Sequence, residues 1–184
     1  MTTRVSLPDM RSPGAGFDQP FEMLDACHDR VRRSLDLLRR LRDYLRGHGH
    51  GCDDSARQAA RDVLRYFDIA APLHHEDEEL HVFPPLLAQE HDAPLVTLVR
   101  QLQRDHVRMA ERWATARGPL QAMADGQLPA FSAEHEAALD GFAECYADHL
   151  RHEDDSIYPA ARALLDPGAQ SAMGQEMARR RGVR

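Results

Sequence analysis

Apolar residues recur along this chain at alternating steps of three and four, the spacing that lines one face of an α-helix. Phe21, Leu24, Val31, Leu35, Leu38 and Leu45 make the first such stripe, predicting a helix over about 20–46 with Asp18 as its N-cap and Pro20 in its first turn. Gly47 stops it, and GHGHG, residues 47–51, reads as a flexible connection. A second helix restarts at Asp53 or Asp54 and turns Val63, Phe67 and Ala70 or Ala71 inward. Pro72 predicts a kink in it, and Pro84 and Pro85 an end or a sharp bend. The third begins at Asp92 with Pro94 in its first turn, carries Leu95, Val99, Leu102, Met109 and Trp113, and ends at Gly118 and Pro119 before a longer connection over 119–130. Ser132 caps the fourth, whose stripe is His135, Leu139, Phe142 and Tyr146. Pro159 opens a short segment to about 165, DPGAQ breaks it, and a weak last helix spans 170–181. The fold class is therefore all-α: an antiparallel up-and-down four-helix bundle over 20–165, with an irregular lead-in at 1–19 and a C-terminal tail at 166–184.

Composition narrows the setting. A chain of 184 residues, 42% hydrophobic, is long enough for one domain with a sizeable core. A formal net charge of −7 argues against a nucleic-acid or anionic-membrane partner, and the Arg179–Arg181 run reads as the solvated end of a short helix. No apolar run is long enough to span a bilayer and no secretory signal is evident, so the expected location is the cytoplasm. Cys27, Cys52 and Cys145 have no metal-ligand spacing and read as reduced thiols.

The stripes carry residues that do not belong in a core. His74, Glu78 and Pro84 return as His149, Glu153 and Pro159, each 75 residues on, and a single inward His, His28 or His106, precedes each motif. Residues four apart share a helix face, so each motif sets an imidazole beside a carboxylate. A lone His on an apolar stripe is usually a hydrogen-bonded core residue, and a His–Glu pair at this spacing is often a surface pair. Six such groups at matching depths are different, because two buried carboxylates side by side repel unless protonated or held by a cation. The expected metal ligands are His28, His74, Glu78, His106, His149 and Glu153. Nitrogen and oxygen donors without thiolate favour iron or manganese. Two carboxylates able to bridge, with two imidazoles per ion, describe a dinuclear centre open to O2, NO or peroxide. His75 and His152 fall off the ligand face, His81 and His91 lie at or beyond a helix end, and His135 is too far up the axis. His48 and His50 sit in a solvated loop. Asp77, Glu79, Asp154 and Asp155 read as the solvated backs of the motif helices. Tyr146, Trp113 and Met109 are candidates for the access path; the Tyr146 hydroxyl either reaches a bridging oxygen or belongs to a core aromatic.

The segments HHEDEELHVFP and HLRHEDDSIYP, with the His28 and His106 spacings, resemble the hemerythrin-like proteins, the HHE cation-binding family, over about 20–165. The resemblance implies a four-helix bundle with a non-haem di-iron centre at the six residues named, its cofactor two iron ions with an oxo or hydroxo bridge and manganese or zinc as substitutes. Oxygen carriers of that family have a fifth His one turn after the third-helix His, where this chain has Ala110. The site looks more like the bacterial iron-sulfur-cluster repair proteins, but those carry an added N-terminal cysteine-motif domain where this chain has 19 irregular residues. The expected function is binding or sensing of O2, NO or peroxide, or iron handling, rather than enzymatic turnover. Peroxidase, NO-reducing or iron-sulfur repair activity, and a structural bundle holding zinc or no metal, remain the other readings. No catalytic residue and no oligomeric state can be read.

Overall fold

The computed structural model describes residues 16–48 and 51–183, with His48 described in its backbone alone. Residues 1–15 of the lead-in expected at 1–19, Gly49, His50, Arg184 and the His48 side chain lie outside the described residues. Among those described there is no strand. The helices are α1 (Pro20–His48), α2 (Asp54–Arg65), α3 (Ala71–Asp77), α4 (Phe83–Leu87), α5 (Ala93–Ala124), α6 (Ala133–Ala143), α7 (Ala147–His152), α8 (Tyr158–Leu164) and α9 (Pro167–Arg180). Three π-turns join some of them without a break: π1 (Tyr66–Ala70), π2 (Glu78–Val82) and π3 (Glu153–Ile157). No helix among the described residues is long and apolar enough to cross a membrane.

The prolines do not act as expected. Each π-turn opens six residues before a proline, Pro72, Pro84 or Pro159. Ala71, Phe83 and Tyr158 donate their backbone N–H five residues back, to the carbonyls of Tyr66, Glu78 and Glu153. In an α-helix the proline ring crowds the carbonyl four residues earlier and leaves it unbonded. Widening the preceding turn relieves the crowding, so the helix runs on through Pro72, where a kink was expected, and through Pro84 and Pro85 instead of ending there. Pro119 likewise lies inside α5, which continues to Ala124. Leu120, Met123 and Ala124 are buried beyond it, and burial at roughly 1.5–3 kcal/mol per large side chain outweighs the ~3 kcal/mol of an interior proline.

Other boundaries shift for local reasons. Met23 N donates to the Gln19 carbonyl at 3.0 Å, so the first cap is Gln19 rather than Asp18. Asp53 caps α2 through Ala56 N, and Asp92 bonds Leu95 N at 3.1 Å. Ser132 and His135 form a reciprocal capping box at the start of α6, which explains His135 without a metal. Within α1, Leu37 and Leu41 are fully buried, whereas Leu35 and Leu45 are half-buried.

The described residues form two compact units. One comprises Arg30–Pro72 and Arg108–Tyr146, the other 16–29, Leu73–Val107 and 147–183. In the first, Phe67 packs against Trp113, Phe142 and Tyr146 at 4.9–5.8 Å between ring centroids. Tyr146 is thus a core aromatic. Arg42 pairs with Glu136 and Asp140 on α6. The core of the second unit is Phe21, Leu24, Val82, Phe83, Leu86, Val99, Leu102, Ile157 and Tyr158, closed by Met173 and Met177 of α9. The expected weak tail is therefore a packed fifth helical segment, capped by Asp166 at Ala169 N. Cys27, Cys52 and Cys145 are not joined in disulfides.

Gly174 shows how tightly α9 is seated, because a Cβ there would overlap the Phe17 carbonyl oxygen. Gly to Ala in a helix interior ordinarily stabilises by about 1 kcal/mol. Here overpacking against backbone, at about 1–3 kcal/mol, reverses the sign. Gly174→Ala is expected to lower the thermal midpoint by a few degrees, read by circular dichroism; a raised midpoint would show that α9 stands clear of Phe17.

Candidate metal centre

The second unit brings all six expected residues together, each at most 7% exposed. α1 supplies His28, α3 supplies His74, and Glu78 opens π2. α5 supplies His106, α7 supplies His149, and Glu153 opens π3. Every imidazole turns its Nε2 toward the carboxylates. His28 Nε2 lies 3.2 Å from Glu153 and 3.9 Å from Glu78; His74 Nε2 lies 3.6 Å from Glu78. His106 Nε2 is 3.3 Å from Glu78 and His149 Nε2 is 3.0 Å from Glu153. The donors fall into two sets, His28, His74, Glu78, Glu153 and Glu78, His106, His149, Glu153, with the atoms of each within 4.8 Å of one another. Both glutamates belong to both sets.

A second layer holds these rings in place, and sequence reasoning missed it. Asp154 lies 2.6 Å from His28 Nδ1, and Glu79 lies 2.9 Å from His106 Nδ1 and is itself held by Gln103. Asp105 stands 3.7 Å from His149 Nδ1. A carboxylate on Nδ1 fixes the tautomer that leaves Nε2 free to ligate. Asp154 and Glu79 are thus not solvated backs. Asp77 is not one either: it is fully buried and gripped by Arg180 and by both Nη atoms of Arg181, at 3.0 and 2.6 Å. Only Arg179 of that run stays solvated. The Tyr158 hydroxyl, also unforeseen, donates to Glu78 Oε1 at 2.5 Å and lies 2.9 Å from His28 Nε2. Its ring stacks on His28 at 5.0 Å as Phe83 stacks on His106 at 5.5 Å. Extending the 75-residue repeat would have found these pairs, since Glu79 matches Asp154 and Phe83 matches Tyr158.

His75 joins the site as well, stacked on His106 at 4.2 Å. His81 instead pairs with Glu176 at 2.7 Å, and His91 and Asp155 are exposed.

Charges in this cluster are forced apart. Burial pulls His74 down to about 4 and His149 to about 3, with Glu78 opposing only in part. His75 is also pulled well down by burial. Burial disfavours a charged His106 too, but Glu78 and Glu79 outweigh it and raise its pKa to about 9. Burial and the neighbouring Glu78 push Glu153 well above the usual carboxylate range; burial also pushes Glu78 up, but the surrounding imidazoles prevail and lower it. In the metal-free chain, below pH 6.5 the unfolded state protonates His74, His75 and His149 while the folded state does not, and the two carboxyls that burial raises, Glu153 and Asp25, act oppositely. Stability is thus expected to fall from about pH 6.5 toward 4, measured as the urea midpoint; a flat midpoint over that range would contradict the burial of these rings.

A cation fits this donor set. Glu78 Oε2, both Glu153 oxygens, His106 Nε2 and His149 Nε2 are buried with no hydrogen-bond partner, a costly state that a metal ion relieves. The donors are imidazole nitrogen and carboxylate oxygen, suited to iron, manganese or zinc. Loading must expel protons from His106 and Glu153, so affinity rises with pH.

The comparisons agree with this chemistry. Residues 19–161 match the Hemerythrin HHE cation binding domain. A Haemophilus influenzae protein described as an uncharacterized protein is 32% identical over 171 residues, spanning 92% of this chain and 94% of that one.

Proposed function

This chain belongs to the hemerythrin HHE cation-binding family, and from that premise we propose that it is a non-haem di-iron protein of the cytoplasm that binds or senses O2, NO or peroxide. The observation that carries the reading is the pair of overlapping four-residue sets sharing Glu78 and Glu153. Each set offers two imidazoles and two carboxylates, the complement of one ion, and the shared glutamates suit a bridge between two. The fold we propose around them is the up-and-down four-helix bundle, with α9 packed onto it. Bound there, the ion pair supplies a redox-active centre with positions left over for a small ligand.

The surrounding residues fit that role. Asp154 and Glu79 fix His28 and His106, and Leu24, Val82, Phe83, Leu102 and Ile157 form the buried apolar core of the same unit. Tyr158 places one hydroxyl beside Glu78 and His28 as a hydrogen-bond donor, while its repeat counterpart Phe83 has none. The iron-loaded chain is expected to change its visible absorption on addition of azide or NO. A spectrum indifferent to both, in protein carrying its full iron, would reduce the reading to iron storage.

A further inference from the structure

The two glutamates divide their oxygens between the two pairs of imidazoles. Glu78 Oε1 lies 3.6 Å from His74 Nε2 and 3.9 Å from His28 Nε2, while its Oε2 lies 3.3 Å from His106 Nε2. Glu153 turns Oε2 to His28 at 3.2 Å and Oε1 to His149 at 3.0 Å. Each ion position therefore draws one oxygen from each glutamate and two imidazoles, and in its donors the pair is balanced. The groups behind the donors are not balanced. Glu78 Oε1 already accepts the Tyr158 hydroxyl at 2.5 Å, whereas Glu78 Oε2 and both Glu153 oxygens have no hydrogen-bond partner among the described residues. The repeat counterpart of Tyr158 is Phe83, which has no hydroxyl to give. His28 and His106 each have a carboxylate on Nδ1, Asp154 and Glu79, and so match. The motif histidines do not match: the Asp105 carboxylate stands 3.7 Å from His149 Nδ1, while His74 Nδ1 is buried without a hydrogen-bond partner and His74 pairs with Glu78 alone.

Resting on the di-metal reading above, we infer that Tyr158 sets the two ion positions apart: its hydroxyl, given to the one glutamate oxygen that faces His28 and His74, makes the ion there the exchangeable one and leaves the ion between His106 and His149 as the resident one. A hydrogen bond to a carboxylate oxygen draws on the same electron density that a cation on that oxygen needs. An imidazole with no carboxylate behind it is the poorer donor, and such outer partners are worth about 10- to 100-fold in metal affinity. Both differences fall on the same position. Tyr158 acts through Glu78 and not on the ion itself. A centre built this way gives up one ferrous ion and keeps the other, together with a vacated set of donors ready for the next.

The test uses the full chain, loaded anaerobically with ferrous iron and equilibrated against a graded chelator. Wild type is expected to hold two irons without chelator and to lose them in two steps whose midpoints lie at least about 10-fold apart in chelator concentration. Tyr158→Phe, which removes only the hydroxyl, is expected to raise the first midpoint and leave the second where it was, so that the steps draw together. Damage to the site would lower both midpoints, so a selective gain separates the proposed role from a structural one. Glu79→Gln, which weakens the support of His106, is expected to lower the second midpoint alone and keeps the test valid should the tyrosine variant fold poorly. Loss of both irons in a single step from wild type would overturn the proposal, as would a first midpoint that falls or stays in a Tyr158→Phe chain of intact helix content. A wild-type chain that never holds two ions would instead remove the di-metal reading itself.

Discussion

Glu78→Ala is expected to strip the chain of both ions, whereas His74→Ala weakens only one. The asymmetry follows from membership: Glu78 belongs to both four-residue sets, His74 to one. Removing Glu78 leaves each ion with a single carboxylate and costs the charge that balances two cations in a site shielded from water. Removing His74 leaves the second set complete. In the metal-free chain the loss of Glu78 takes the acceptor from the Tyr158 hydroxyl and a partner from His106, and relieves the repulsion that raises Glu153, so helix content is measured beside metal content. Elemental analysis after anaerobic iron loading and desalting separates the cases. A Glu78→Ala chain that keeps one tightly bound ion would show that the glutamate does not serve both positions.

The double variant Arg180→Ala, Arg181→Ala is expected to destabilise the chain by about 3 kcal/mol, the lower end of the cost of stripping a buried charge of its partners. Asp77 is fully buried, while the two arginine side chains are 16% and 14% exposed. Without them the carboxylate keeps its desolvation penalty and loses its compensation. The effect should reach the metal, because Asp77 immediately precedes Glu78 and the same helix is tied to α9 through His81 and Glu176. The readout is the urea midpoint of the metal-free chain, together with iron retention against a chelator. Adding Asp77→Asn to the double variant should recover much of the loss, since a neutral amide carries a smaller desolvation cost. A change within about 0.5 kcal/mol, the range of ordinary surface substitutions, would mean that α9 does not secure the motif helix.

How much of this was legible in the sequence depends on the kind of signal. The convergence of the six residues in one buried cluster was, because two carboxylates and four imidazoles that interrupt apolar stripes at nearly one offset would destabilise the core unless they met a common partner. The helices were too, apart from their behaviour at proline. Reading Pro84 and Pro85 as an end or a sharp bend, and Pro159 as the opening of a separate segment, hid the π-turns, and those turns change which residues face inward. On an α-helix a residue five positions beyond Glu78 or Glu153 points about 140° away. The i to i+5 bond instead brings Phe83 and Tyr158 back over the site, which is why Tyr158, and not Tyr146, supplies the hydroxyl there. Glu79, Asp154 and Asp77 were assigned to solvent by their charge. What reverses that assignment is the partner each finds, His106, His28 and the Arg180–Arg181 pair, and only the last of these lies outside the repeated set of His and Glu positions, where no motif signals it. His75, which helical phase turns off the ligand face, stacks on the His106 ring without belonging to either four-residue set.

The most direct test of the central claim is the metal content of the wild-type chain after anaerobic loading with ferrous iron and removal of loosely held ions. Near two irons per chain is the result the shared-glutamate geometry requires. A single ion, or none, in chains that are helical and folded would contradict it.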